Sequence, residues 1–171
     1  MTYEGLALTD VQILKVMSVA MSAGGLVMVL AENHDIIRYI TDMLEALDRI
    51  APRLHATSRP ALAEREATDC ALALAELMDV PVVIVHVPRG EAIEEMNRAL
   101  ARGLKMIVVA HPQYLVLTAR NLEGLHMKRA KYVFGPLQRD KASHVGCWIG
   151  LQDGTFQPFS SDHPAFRHDD E

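Results

Sequence analysis

The chain has 171 residues, half of them hydrophobic, and a formal net charge of −5. That length carries one domain with a real core, but it falls short of the roughly 250 residues of an eight-fold (β/α) barrel. There is no basic patch to attract nucleic acid, no apolar run of the ~18 to 20 residues that spans a membrane, and no basic or apolar region of a signal peptide in Met1 to Gly5.

Thr9 is a good N-cap, with Asp10 in the first turn and Gln12 placed to complete a capping box. Ile13, Val16, Met17 and Ala20 follow at helical spacing, and Gly24-Gly25 ends the helix. Leu26 to Leu30 reads as the first strand. Asn33 to Ile50 reads as a helix with Ile36, Ile37, Ile40, Met43, Leu44 and Leu47 on one side. A loop from Ala51 to Arg59 leads to Ser58 as the cap of a long helix, with Pro60 in its first turn and its end near Met78.

Val82 to Val87 is an unbroken apolar run, the pattern of a strand buried on both faces. Gly90 to Arg102 is predicted helical and stops at Gly103. Lys105 to Ala110 is the third strand. Asn121 to Ala130 is irregular or a short helix, and Lys131 to Phe134 is a candidate fourth strand. Asp140 caps a helix running to about Leu151, and Phe156 to Ser161 is the last strand. The charged tail from Phe166 to Glu171 is expected to fray. About five strands separated by helices imply parallel pairing. The expected architecture is therefore α/β: a single incomplete domain over residues 1–171, a partial TIM (β/α) barrel.

Strand ends carry the chemistry of such barrels. The second strand stops on His86, and the last leads into Asp162-His163. A His and an Asp there suit a metal site, whereas the first strand ends on Leu30. Each residue also has a plainer reading, His86 as a hydrogen-bonded core histidine and Asp162 as a turn residue. His111 follows the third strand and could join His86 and Asp162 in a rebuilt one-metal site. His163 reads as a supporting or surface side chain, and His34 as part of a helix start. His55, His126, His144 and His168 read as loop or surface residues, while Cys147, Trp148, Met17 and Met21 read as packing. Arg89-Gly90-Glu91 lacks the GxxxxGK of a phosphate loop. Cys70 and Cys147 are far apart, as buried thiols of a reducing, cytoplasmic protein would be.

Several stretches together resemble the dihydropyrimidinase and hydantoinase family of cyclic amidohydrolases. They are Met1 to Leu6, Val27 to Asn33, His55 to Pro60, Ile84 to Val87, Pro112 to Leu115, Arg139 to Lys141 and Ser160 to His163. The resemblance is colinear, covers essentially the whole chain, and matches only the middle of the family's longer sequence. It implies a metal-dependent barrel that opens hydantoins, dihydropyrimidines and other cyclic imides. Two ions, usually zinc, are held there by an HxH pair, a carbamylated lysine, two further histidines and an aspartate. Such a pair lowers the pKa of a bridging water and polarises the scissile carbonyl, while the aspartate shuttles the proton.

By the same resemblance His86 matches the second of the later histidines, and Asp162 the terminal aspartate. Tyr3 matches a tyrosine that stabilises the developing oxyanion. Leu30 takes the place of the first later histidine. Gly135 replaces a serine whose backbone binds substrate, and Val109, Ala110 and His111 replace Glu, Thr and Cys. The HxH pair has no counterpart, the lysine would precede Met1, and the chain stops before a substrate-binding asparagine.

Two of six metal-binding side chains are too few for a catalytic zinc. The expectation is a truncated hydantoinase-like protein, inactive alone and binding no zinc stably. The alternative is a non-catalytic remnant or an interaction module. An unclosed barrel leaves sheet edges and apolar surface uncovered, so a homo-oligomer or a companion chain supplying the missing barrel is expected. A cyclic imide is the expected small molecule if the assembly is active, with no nucleic acid and no membrane involved.

Overall fold

The computed structural model describes residues 5–87, 90–123, 127–136 and 141–163. Helix α1 (Asp10–Ala23) begins with the capping box that the sequence predicts: the Thr9 hydroxyl accepts from the Gln12 N–H, and Gln12 Oε1 accepts from the Thr9 N–H. Gly24 closes it in the left-handed conformation, at φ 64°. Strand β1 is Val27–Leu30, α2 is His34–Ala46, and a 3₁₀ turn at Pro52–Leu54 runs into a short helix α3, His55–Ser58. There follow α4 (Ala61–Met78), β2 (Val82–Val85), α5 (Gly90–Ala101), β3 (Met106–Val108) and the single turn α6 (Gln113–Val116). Two 3₁₀ turns, Ala119–Leu122 and Met127–Tyr132, precede α7 (Lys141–Gln152).

The three strands pair in parallel in the order β1-β2-β3, as strands separated by helices must. The register sets Val27 beside Val82 and Val82 beside Met106. Alternate residues face the helices: Val82, Ile84 and Val108 join Met17, Leu72, Ala75, Met96, Ala99 and Cys147 in one apolar core. That layer of helices packs in the order α1, α4, α5, α7. Among the described residues the sheet does not close, and the far edge of β1 carries no strand.

Several expected elements differ. Phe156 to Ser161 forms only a bridge, Phe159 parallel to Ala110. Pro158 has no N–H to give, and the Gln157 side chain takes the Val108 N–H at 2.9 Å, so the ladder is mixed. The backbone still tracks β3, through Gln157 N–H to Val108 O, Ala110 N–H to Pro158 O and Ser160 N–H to Ala110 O, at 3.2, 3.1 and 3.0 Å. Lys131 to Phe134 is not a strand: Lys131 and Tyr132 belong to a 3₁₀ turn, and the Val133 N–H is spent on the Ala130 carbonyl. Ser58 does not cap α4. Its hydroxyl donates to the His55 carbonyl, and Pro60 is the cap residue. Helix α2 stops at Ala46, after which Asp48 turns left-handed at φ 54°.

Trp148 and Met21 are exposed rather than packed, although Cys147 and Met17 are buried. Neighbouring positions on a helix diverge by about 100°, so only Cys147 of that pair faces the core. His144 is half-buried and bonds the Leu117 carbonyl. Tyr3, Asp140, His126, His168, Arg89 and the tail lie outside the described residues.

Candidate functional site

The described C-terminal ends of the strands bring three of the sequence-predicted residues together. Just past β2 the backbone turns left-handed at His86, with φ 61°. Beyond β3, Ala110 holds Phe159 in register, which sets His111 beside Ser160 and brings Asp162 back towards His86. Asp162 is also left-handed, at φ 50°. Two non-glycine residues in that region at one sheet end are backbone strain of the kind that clusters at sites.

The rings of His86 and His111 stack, with centroids 4.5 Å apart and planes 14° from parallel. His86 Nε2 lies 3.6 Å from Asp162 Oδ2, within reach of an ion pair but too long for a hydrogen bond. His111 is buried, and its Nδ1–H donates to the Ser160 carbonyl at 2.6 Å. A carbonyl only accepts, so the proton sits on Nδ1 and Nε2 keeps its lone pair. That Nε2 is buried with no hydrogen-bond partner.

Tyr114 supports the pair from below. It meets His111 edge-on at 5.5 Å, packs on Phe134 at 5.9 Å, and donates its hydroxyl to the Pro136 carbonyl at 3.3 Å. Burial first, and nearby Glu64 and Glu32 next, push its phenol well above the ordinary range, so it stays a neutral donor. Gly135 stands between Phe134 and Pro136, after a loop whose other carbonyl, that of Phe134, bonds His55. Leu30 ends β1 with a partly buried alkyl side chain.

A second polar cluster was not assigned from the sequence. Arg59 Nη1 lies 3.0 Å from His55 Nδ1. A guanidinium only donates, so His55 carries its proton on Nε2 and gives it to the Phe134 carbonyl at 3.3 Å. Arg59 Nε is 3.9 Å from the carboxylate of Glu32, which is buried. Glu64 is buried in the first turn of α4, where the helix dipole favours a carboxylate. His55 is thus a half-buried linker, not a surface residue. The signal was available: Glu32, His55 and Arg59 all lie in stretches that carry the family resemblance.

Burial lowers the pKa of both site histidines. His86 is lowered further by His111, against the pull of Asp162, and His111 is held up in part by its bond to Ser160. Below the ordinary histidine value of 6.5 the unfolded chain therefore binds more protons than the folded one. Stability is fully present above that value and is lost as pH falls from it towards the lowered folded values. The thermal midpoint is expected to drop between pH 7.5 and pH 5. His111→Asn, whose amide keeps the bond to Ser160, should flatten that dependence.

The donor set does not fit a two-metal centre. Among the described residues no three His, Cys, Asp or Glu side chains are grouped to hold an ion. Imidazole lone pairs lie in the ring plane, so stacked, nearly parallel rings cannot converge on one cation without turning. Leu30 offers no donor at all.

No protein-family model matches the chain. It is 44% identical over 164 residues to the D-hydantoinase of Ralstonia pickettii, covering 95% of this chain and 36% of that protein. It is 42% identical, with the same coverage, to the D-hydantoinase of Rhizobium radiobacter. Among solved structures, a D-hydantoinase superposes with a TM-score of 0.92 at 44% identity, over 95% of this chain and 36% of that one. The dihydropyrimidinase of Brevibacillus agri NCHU1002 superposes with a TM-score of 0.95 at 35% identity, over 99% of this chain and 37% of that one. The chain spans a little over a third of the length of the curated relatives it matches. Its unclosed parallel sheet and flanking helices are a partial TIM barrel, and the chain belongs to the hydantoinase/dihydropyrimidinase family.

Proposed function

We propose that these 171 residues form one incomplete barrel domain, a hydantoinase-like segment that does not open cyclic amides by itself. The observation that carries this reading is the donor geometry at the strand ends, one His–Asp approach at 3.6 Å beside a stacked ring and an alkyl group. In this reading His86 and Asp162 occupy former metal positions, Asp162 and Tyr3 former catalytic ones, and Gly135 an altered substrate-binding one. His111 fills space that a metal ligand would have to share. Zinc, the family's cofactor, finds too few converging donors to stay bound. The cyclic imide becomes a substrate only in an assembly, with a second copy or a companion chain, that supplies further ligands.

Such an assembly is proposed to work in the cytoplasm. Among the described residues no helix is long and apolar enough to cross a membrane. The test is ring opening of hydantoin and dihydrouracil by the purified chain, with zinc added and then dialysed away. Turnover no faster than buffer, with well under one zinc retained per chain, is expected. Stoichiometric zinc together with turnover would overturn the proposal.

A further inference from the structure

A chain of polar side chains ties the end of β1 to the loop at residues 134–136. Glu32 lies just past β1 and is buried. The single turn α3 sets His55 and Arg59 four residues apart, hence on one face. Arg59 Nε stands 3.9 Å from a Glu32 carboxylate oxygen. Arg59 Nη1 donates to His55 Nδ1 at 3.0 Å and to the Ser58 hydroxyl at 3.4 Å. The other ring nitrogen of His55 donates to the Phe134 carbonyl at 3.3 Å.

This order fixes the direction of every proton in the chain. A guanidinium has only N–H groups to offer, so His55 Nδ1 accepts and the Nε2 proton points at Phe134. The Phe134–Gly135 peptide is trans and planar, with its C=O and N–H opposed. Holding the Phe134 carbonyl therefore aims the Gly135 N–H away from His55. On the other side of Gly135, the Pro136 carbonyl is held by the Tyr114 hydroxyl at 3.3 Å. Tyr114 packs on Phe134 and meets His111 edge-on, and His111 stacks on His86. Both carbonyls flanking Gly135 are thus anchored, one from β1 through Arg59 and one from the end of β3 through Tyr114.

We propose that Glu32, Arg59 and His55 are positioning residues of the strand-end site. Together they hold the Phe134 carbonyl, set the direction of the Gly135 N–H and seat Phe134 against Tyr114 and the stacked histidines. They act through the loop and not on a reacting atom. Simple space filling would not need them: burying a carboxylate and a guanidinium desolvates both, a cost that apolar packing avoids. What the pair gives in exchange is a fork of fixed geometry, which holds one tautomer of His55 and one face of the loop. The role rests on the reading of Gly135 as an altered substrate-binding position, whereas the hydrogen-bond order holds without it.

The experiment is nitrogen-15 NMR of the intact 171-residue chain at neutral pH, with His55→Gln, His55→Leu and Arg59→Lys beside the native sequence. Native His55 is expected as the Nε2–H tautomer. Glutamine offers one acceptor and one N–H donor, so His55→Gln should leave the Gly135 amide signal and the Tyr114 and His111 ring signals in place. Leucine offers neither, and His55→Leu should shift all three. Arg59→Lys keeps a positive charge for Glu32 but loses the planar fork, so the chain should stay folded while His55 becomes a mixture of tautomers. A native His55 proton on Nδ1 would overturn the proposal whatever the variants do. An unmixed Nε2–H form in Arg59→Lys, or site signals that glutamine moves as far as leucine does, would overturn it too. Turnover in the ring-opening assay would refute the inactive-segment reading and leave these signals where they are.

Discussion

Replacing Tyr114 with alanine is expected to lower stability by about 3 to 5 kcal/mol, the range for emptying a buried aromatic site. The ring is 2% exposed and wedged between His111 and Phe134. Its loss opens a cavity that neither neighbour can fill, because His111 is held at Ser160 and Phe134 by the His55 bond to its carbonyl. A chain of this size loses about 2 to 4 °C of melting temperature per kcal/mol, so the midpoint should fall by about 10 °C. Tyr114→Phe separates the parts. It keeps the ring and leaves only the Pro136 carbonyl without its donor, at a cost of about 1 kcal/mol. Thermal unfolding followed by circular dichroism measures both. Equal losses for the two variants would show that the hydroxyl, not the packing, dominates.

Gly150→Ala should be nearly as damaging, for the opposite reason. A Cβ at that position would lie 2.6 and 2.7 Å from Phe156 Cε2 and Cδ2, well inside van der Waals contact. Phe156 is 3% exposed and belongs to the core, and the Phe156 N–H bonds the Gly150 carbonyl at 2.8 Å. Ring and backbone are thus tied at the same spot, and the clash cannot be relieved by a swing of the side chain. Overpacking of this kind costs about 1 to 3 kcal/mol. Because Phe156 leads into the segment that aligns Asp162, the variant should also disturb the His86–Asp162 approach. A changed histidine titration by NMR would report that, and an unaltered midpoint would show that α7 and Phe156 can separate freely.

Local grammar explains what the sequence made legible. The Thr9 capping box, the end of α1 at Gly24 and the buried run of β2 each depend on neighbours a few residues apart, and each forms as expected. His86 and Asp162 were readable as strand-end residues because β2 and the last extended segment were recognisable, and they do approach each other. What was hidden depends on distant partners. The last segment is narrowed to one bridge by Pro158 and by the reach of Gln157 to Val108. The Lys131 to Phe134 run has β-rich composition but spends its N–H groups in a local turn. The stack of His86 on His111 joins residues 25 positions apart through tertiary geometry that no spacing rule encodes.

The left-handed backbone at His86 and Asp162 has a consequence for how this mouth can change. Glycine adopts that conformation without the steric cost a Cβ incurs, so either position would be relaxed by losing its side chain. Fold stability alone would therefore favour glycine at both residues. A chain that keeps a side chain at both positions holds a standing tension in its loops.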